Sequence, residues 1–331
     1  MSIHAVAPGR VNLIGDHTDY TGGLVMPMAI DRYTEIKGTR GGERVHLRSF
    51  DEPDPVDLPL QVDDPQHAEP AWARYVAGVV AELSPTAGFQ GHVSTDIPIG
   101  AGLSSSHALQ VAVALALGFG GSPTELALLT QRAENRSSGV PTGIMDQLTI
   151  VSGVKDHALM IDCGDLTVEP VRMPTDAEVV VLFVAHRTLV GSAYAERVAE
   201  CRAVEALIGP LRDATEDAAR AIDDPVLRLR AMHVTGENRR VREFADALRA
   251  DDLAQAGQLM QAGHESLRLL YATSTPVMDE AVAQLCATPG VYGARMTGGG
   301  FGGCVVALAE PGALSQGWVV RAVDGAHVVE V

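Results

Sequence analysis

The chain has 331 residues, 46% of them hydrophobic, and a formal charge of −17. That length and apolar content suit a compact soluble chain of two domains with no membrane-spanning run; the negative balance excludes a broad nucleic-acid surface but not a small anion held by backbone amides. The opening MSIHAVAPGR lacks a basic start followed by an apolar export segment, and Cys163, Cys201, Cys286 and Cys304 lack metal or redox spacing, so a cytoplasmic protein with free thiols is expected.

In chain order, Ile3–Ala7 reads as a short strand. It leads into Gly9-Arg10-Val11-Asn12-Leu13-Ile14-Gly15-Asp16-His17-Thr18-Asp19-Tyr20. One cation, two carboxylates and an imidazole in so short a segment suit a hydroxyl-rich ligand such as a sugar, because carboxylates accept strong charge-assisted hydrogen bonds from vicinal hydroxyls. A strand end with turn-forming Asp residues is the plainer alternative. Glu43–Val62 reads as strands and acidic loops. Trp72, Tyr75, Val76, Val79, Val80 and Leu83 then recur at the spacing of one buried helical face, which places Trp72 in the core.

Pro98–Leu117, PIGAGLSSSHALQVAVALAL, runs a glycine-rich turn through Ser104, Ser105 and Ser106 into an apolar helix. Glycines at 100 and 102 permit a tight turn, and the serines sit where a helix leaves its first amides unpaired and its positive dipole end exposed, an arrangement that fits a phosphate chain. The same letters also fit a strand-to-helix turn with serine caps. A second helix begins at Ser122, with Pro123 at its first position and Glu125 completing a capping box, and runs through Glu134. Asp146 follows in Gly143-Ile144-Met145-Asp146-Gln147, an acid among apolar residues that alone reads as an N-cap or surface turn.

His157–Cys163 and Glu178–Val184 read as strands around an acidic connector, Asp165–Asp176, where a domain boundary is expected. Helices follow at Ser192–Leu207, Pro225–Ala250 and Leu253–Leu270, their charges read as solvated faces. Another helix starts at Thr275 and Pro276. Gly298–Gly303 matches GxGxxG, but Cys304–Leu308 after it reads as a strand, which argues for a glycine turn between Val291–Met296 and that strand and against a dinucleotide fingerprint. Trp318–Val323 and His327–Val331 complete the strands.

GRVNLIGDHTDYTGG, PIGAGLSSS and ARMTGGGFGGC occur in that order, with WARYVAGV, GIMDQ, HALMIDC, GSAYAERVAEC, ENRRV and HESLRLLYATSTP between them. Together these segments resemble the galactose, homoserine, mevalonate and phosphomevalonate (GHMP) kinase superfamily, and within it the galactokinase family, over nearly the whole chain. The resemblance implies an α+β fold of two domains. One, residues 1–170, is ribosomal-protein-S5-like and carries the sugar signature and ATP phosphate loop; the other, residues 171–331, is ferredoxin-like and carries the third, glycine-rich motif.

By the same resemblance, the expected reaction is ATP-dependent phosphorylation of D-galactose at its anomeric hydroxyl, with Asp146 as base and Arg10 as electrostatic stabiliser. Asp16, His17, Asp19, Gly143 and Tyr194 fall at sugar positions. Pro98, Gly100, Gly102, Leu103, Ser104, Ser105 and Ser106 fall at ATP positions, and Ser106 and Glu134 at Mg²⁺ positions. The expected partners are the sugar and ATP, with no nucleic acid or membrane, acting on a monomer. Three residues depart from the family's usual pattern: Asp16 for Glu, His107 for Ala and Thr142 for Cys. The shorter Asp16 motivates an alternative reading as a 1-kinase for galacturonate, N-acetylgalactosamine or arabinose. A non-catalytic sugar and ATP sensor is a further alternative, and His107 reads as a packed or solvent-facing helix residue or, near the phosphates, as a weak donor.

Overall fold

The computed structural model describes residues 2–186 and 190–329, so the last two residues of the strand expected at His327–Val331 lie outside the described residues. The first half contains β1 (Ser2–Ile14), β2 (Leu24–Arg40), β3 (Arg44–Ser49), β4 (Val56–Pro59), α1 (Ala73–Leu83), β5 (Phe89–Thr95), α2 (Ser105–Leu117), α3 (Pro123–Ser138), α4 (Met145–Ser152), β6 (His157–Asp162) and β7 (Thr167–Arg172). The remainder contains β8 (Glu178–Ala185), α5 (Val190–Ile208), α6 (Glu216–Arg220), α7 (Pro225–Arg249), α8 (Leu253–Ser266), α9 (Pro276–Cys286), β9 (Val291–Thr297), β10 (Gly303–Ala309), β11 (Trp318–Val320) and β12 (His327–Val329). Between α8 and α9 the helix widens into a π turn at Leu267–Tyr271, so the helix expected to continue to Leu270 changes its hydrogen-bond pattern there.

The strands form two sheets. In the larger, the order is β12-β1-β2-β5-β3-β4, and β6 joins the start of β2 and pairs with β7; in the smaller it is β11-β8-β10-β9. The first strand is longer than its apolar start suggests. Pro8-Gly9 reads locally as an ending, yet the ladder with β2 absorbs it as an irregularity between Pro8 and Gly9 and continues to Ile14. Arg10 and Asn12 are therefore strand residues with fixed directions. The helix from Ser122 closes as expected: Ser122 Oγ accepts from the Glu125 N–H, and the Glu125 carboxylate accepts from the Ser122 N–H at 2.7 Å.

Two apolar cores flank the smaller sheet, and the two-residue period of β10 divides its side chains between them. Cys304, Val306 and Leu308 pack into the core shared with β1, α1, α2 and α3, whereas Val305 and Ala307 pack with Val204, Val234 and Met278. Among the described residues, no helix is long and apolar enough to cross a membrane, and none of the four cysteines is joined in a disulfide.

Only part of the charge on α7 lies on a solvated face: Arg239, Arg242, Asp246 and Arg249 are exposed, and a second set is turned inward along the same helix. His233, Glu237, Asn238 and Arg240 are buried there, as is Arg230. Fixed partners replace water there: Glu237 meets Arg295 at the end of β9 and Asn238 the start of β2, whereas Arg230 turns to Glu200 of α5 and the Leu270 carbonyl.

Candidate active site

A cleft of about 680 Å³ is lined by the first motif, the loop after β5, the start of α2, the end of α3, the start of α4 and the turn after β9. Its floor is set by Arg10. The backbone N–H of Arg10 donates to the Leu103 carbonyl at 3.1 Å, and Nη1 donates to the Gly102 carbonyl at 2.7 Å, fastening β1 to the glycine loop. The rest of the guanidinium grips Asp146 side-on, Nε to Oδ1 at 2.6 Å and Nη2 to Oδ2 at 2.7 Å. Asp146 lies in the first turn of α4 and is not a surface turn residue. Burial alone would raise its pKa, but the charges of Arg10 and His107, with bonds from Arg10 and Ser104, hold the carboxyl well below the ordinary range.

The serine run does not cap α2. Ser104 adopts the left-handed conformation at φ 65° and makes no side-chain cap; its hydroxyl donates instead to Asp146 Oδ2 at 2.6 Å. No side-chain cap therefore covers the helix's leading N–H groups, which lie beside the cleft lined by Ser105, Ser106 and His107. Gly100 and Gly102 also line it. Pro98 and Leu103 do not: Leu103 is buried in the core and contributes its carbonyl to Arg10.

Asp19, His17 and Tyr194 line the same cleft. Burial, and then the negative charge of Asp146, push the Asp19 carboxyl up to about 7. Asp19 can occupy its place only because residue 143 is glycine, since a Cβ there would lie 1.8 Å from Asp19 Oδ2. The His17 ring lies 5.7 Å from that of Tyr194 and 4.8 Å from that of Tyr271. Its Nδ1 bonds to the Tyr20 hydroxyl at 3.0 Å, and this hydroxyl bonds to that of Tyr271 at 2.5 Å. The result is a polar aromatic wall on a rigid support.

Asp16 lines the cleft, but both of its oxygens are engaged. Oδ2 pairs with Arg295 Nη2 at 2.6 Å, and Oδ1 accepts the Gly298 N–H at 2.8 Å. Arg295 also reaches Glu237 Oε1 at 2.9 Å, an oxygen that accepts the Gly15 N–H at 3.0 Å as well. All three charged side chains are at most 1% exposed. Neither Arg295 nor Glu237 stands out by composition, and the only signal was their membership of ARMTGGGFGGC and of the helix containing ENRRV.

Ser106 and Glu134 both line the cleft, and Glu134 Oε2 is buried without a hydrogen-bond partner. An orphaned carboxylate oxygen lining the same cleft as a hydroxyl fits a hard cation that takes its remaining ligands from phosphates and water. Among the described residues no cluster of three or more His, Cys, Asp or Glu forms a self-sufficient metal site. Trp72 is a core residue as expected and lines the cleft as well, its indole donating to the Asp54 carbonyl at 3.0 Å.

Three family profiles match in chain order: the galactokinase galactose-binding signature over residues 2–39, the GHMP kinase N-terminal domain over 73–154 and the GHMP kinase C-terminal domain over 244–317. A galactokinase of Roseiflexus sp. (strain RS-1) is 46% identical over 92% of this chain and 82% of its own. The Homo sapiens galactokinase is 40% identical over 93% and 83%. Among solved structures, Lactococcus lactis galactokinase complexed with galactose superposes with a TM-score of 0.93 at 30% identity, covering 98% of this chain and 95% of that one. A mevalonate kinase at 20% identity shares the fold, with a TM-score of 0.71 over 97% of this chain and 99% of its own. Similarity of this extent, carried through both halves of an α+β fold, means that the chain belongs to the galactokinase family, sugar kinases of the GHMP superfamily.

Proposed function

We propose that the protein transfers the γ-phosphoryl of ATP to the anomeric hydroxyl of D-galactose, giving galactose 1-phosphate and ADP. The observation that carries this reading is the Arg10–Asp146 pair, held in one cleft with the uncapped start of α2, Asp19, His17 and Tyr194. Leading amides of α2 and the Gly100–Ser106 loop are the seat for the phosphates, and Trp72 and Tyr75 flank the base. Ser106 and Glu134 are the protein ligands of Mg²⁺, which neutralises phosphate charge when bound. Asp16 acts through Arg295 and Gly298, shaping the sugar site from behind.

Phosphoryl transfer asks the protein for position and charge stabilisation more than for covalent chemistry. Arg10 supplies positive charge beside the acceptor. Asp146 orients the sugar hydroxyl and takes its proton, and because Asp146 is a weak base in the ground state, the proton moves late, once the oxygen has begun to bond to phosphorus. The test is ADP release with Mg²⁺ and ATP across galactose, galacturonate, N-acetylgalactosamine, arabinose, glucose and mannose, with the phosphorylated carbon identified by NMR. Galactose turnover to the 1-phosphate is expected; preference for another sugar would overturn the substrate, and silence on all would overturn the activity. A monomer in the cytoplasm is proposed as the working state.

The raised pKa and tight seat of Asp19 carry three expected results. A sugar hydroxyl donating to this carboxyl favours its ionised form, so galactose binding at pH 6 is expected to release a proton. Calorimetry in buffers of different ionisation enthalpy reads that release, which should vanish near pH 9, where Asp19 is already ionised; equal values at both pH values would contradict it. The sign for the unliganded fold is the reverse of a salt-bridged acid: the protonated form is favoured by folding, so this stability is full below about 4 and is lost as pH rises through about 7. Gly143→Ala is expected to displace Asp19 and raise the KM for galactose by about tenfold or more, the loss of one charge-assisted hydrogen bond, while leaving the KM for ATP within about twofold.

A further inference from the structure

Within the serine run, Ser104 stands apart. A serine directly before a helix ordinarily turns its hydroxyl onto the leading N–H groups from an extended backbone. Ser104 instead holds φ 65° and ψ 39°, in the left-handed region that a residue with a side chain adopts only against steric strain. It is buried, and its hydroxyl reaches across the cleft wall to Asp146 Oδ2 at 2.6 Å. A strained backbone and a forgone helix cap thus both serve one hydrogen bond to the acid.

That bond distinguishes the two oxygens of Asp146. The grip of Arg10 does not: Nε donates to Oδ1 at 2.6 Å and Nη2 to Oδ2 at 2.7 Å, which leaves each oxygen one of its two lone pairs. Ser104 takes the second lone pair of Oδ2. The same side is crowded by His107, whose Nδ1 lies 3.3 Å from Oδ2 while its hydrogen bond, at 3.4 Å, is with Ser106 Oγ. The His107 ring lines the cleft and is neither core packing nor a solvent-facing surface group. Oδ1 has Arg10 Nε as its one hydrogen-bond donor among the described residues and retains a free position.

We propose that Ser104 is a positioning residue for phosphoryl transfer: its hydroxyl occupies Asp146 Oδ2 and so leaves Oδ1 as the oxygen that receives the proton of the sugar's anomeric hydroxyl. The role rests on the function proposed above, and it takes the Ser104 hydroxyl out of the set of side chains that hold ATP. In the step itself, the anomeric O–H bond breaks and its proton passes to Oδ1. The freed electron pair forms the O–P bond, and the bond from the γ-phosphorus to the bridging oxygen breaks, releasing ADP. The proton on Oδ1 returns to solvent after product leaves. Ser104 touches no reacting atom; with Arg10 it fixes the carboxylate's rotation about Cβ–Cγ.

Steady-state kinetics of Ser104→Gly and Ser104→Ala test this. Glycine adopts the left-handed conformation freely and alanine keeps the strain of serine, so a loss common to both belongs to the hydroxyl and not to the turn. Both variants are expected to lose about tenfold in kcat, the scale of one hydrogen bond to a charged group, with the KM for galactose and ATP each within about twofold. An unchanged kcat in Ser104→Gly, or a rise in the ATP KM alone, would overturn the proposal, the second by making the hydroxyl a phosphate ligand. A readout without turnover is a pair of crystal structures of the wild type, one free and one with Mg²⁺, galactose and a non-hydrolysable ATP analogue. Ser104 Oγ is expected within hydrogen-bond distance of Asp146 Oδ2 in both, with the anomeric hydroxyl on Oδ1. Movement of Oγ to a phosphate oxygen, or an anomeric hydroxyl seated on Oδ2, would overturn the assignment. A wild type that makes no galactose 1-phosphate defeats the function and this role with it, and a Ser104–Asp146 bond kept in the free crystal would locate that failure in the substrate and not in the geometry.

Discussion

Asp146→Asn is expected to lower kcat by about 10²- to 10⁴-fold, a barrier increase of about 3–5 kcal/mol, while both KM values stay within a few-fold. The substitution conserves size, so α4 and its contacts stay in place. What changes is the charge and the ability to accept a proton. The amide oxygen takes the site of Oδ2, where Arg10 Nη2 and Ser104 donate. Its NH₂ then faces Arg10 Nε, donor against donor, at the position Oδ1 held. Part of the loss therefore comes from a guanidinium no longer anchored beside the acceptor. Rapid quench of a single turnover separates the chemical step from product release. A variant within about threefold of wild type would remove Asp146 from the role of base.

Arg295→Met is the second large effect, and it falls on stability. The guanidinium is fully buried between Asp16 and Glu237, and Glu237 is gripped from its other side by Arg240 Nε at 2.7 Å. Burial works against the Glu237 charge, yet Arg295 and Arg240 hold its carboxyl well below the ordinary range. Removing Arg295 strands Asp16 without its cation and Glu237 with one partner fewer, and breaking a buried pair in this way costs about 3–5 kcal/mol. The urea midpoint should fall with an unchanged slope. Adding Glu237→Gln to Arg295→Met should recover part of the loss, because the two residues are in contact and their effects do not add. A single-variant loss below about 1 kcal/mol would show the cluster to be dispensable. The same variant frees the Gly298 turn that Asp16 anchors, so the galactose KM should rise with it.

The sequence disclosed features whose partners lie close in the chain. The partners of the capping box, Ser122 and Glu125, are three positions apart, and the strand after TGGGFGGC was readable because Cys304–Leu308 is a short apolar run with no helical period. The first motif, the glycine loop and the acid of GIMDQ were legible as chemistry, although not their meeting. Arg10 and Asp146 are 136 positions apart, and Asp16 and Arg295 are 279 apart. No local pattern encodes those pairs. Of the α7 charges, the exposed Arg239, Arg242, Asp246 and Arg249 fit a solvated face, whereas Glu237 and Arg240 do not, for the same reason: a stripe of charges shows that they share a face but not whether that face meets water or Arg295. Pro8-Gly9 misled in the other direction, since a dipeptide that commonly marks a turn is here an irregularity within a longer strand.

The strand Gly303–Ala309 bears on how this enzyme takes hold of its substrates. Its alternate side chains belong to different cores, and its edges are bonded to β8 and β9, so neither core has a boundary of its own. Swinging one half against the other would shear a common wall along its whole length. Substrate capture is thereby left to shorter excursions of side chains and loops at the rim, while the Arg10–Asp146 pair beneath them joins elements that stay fixed.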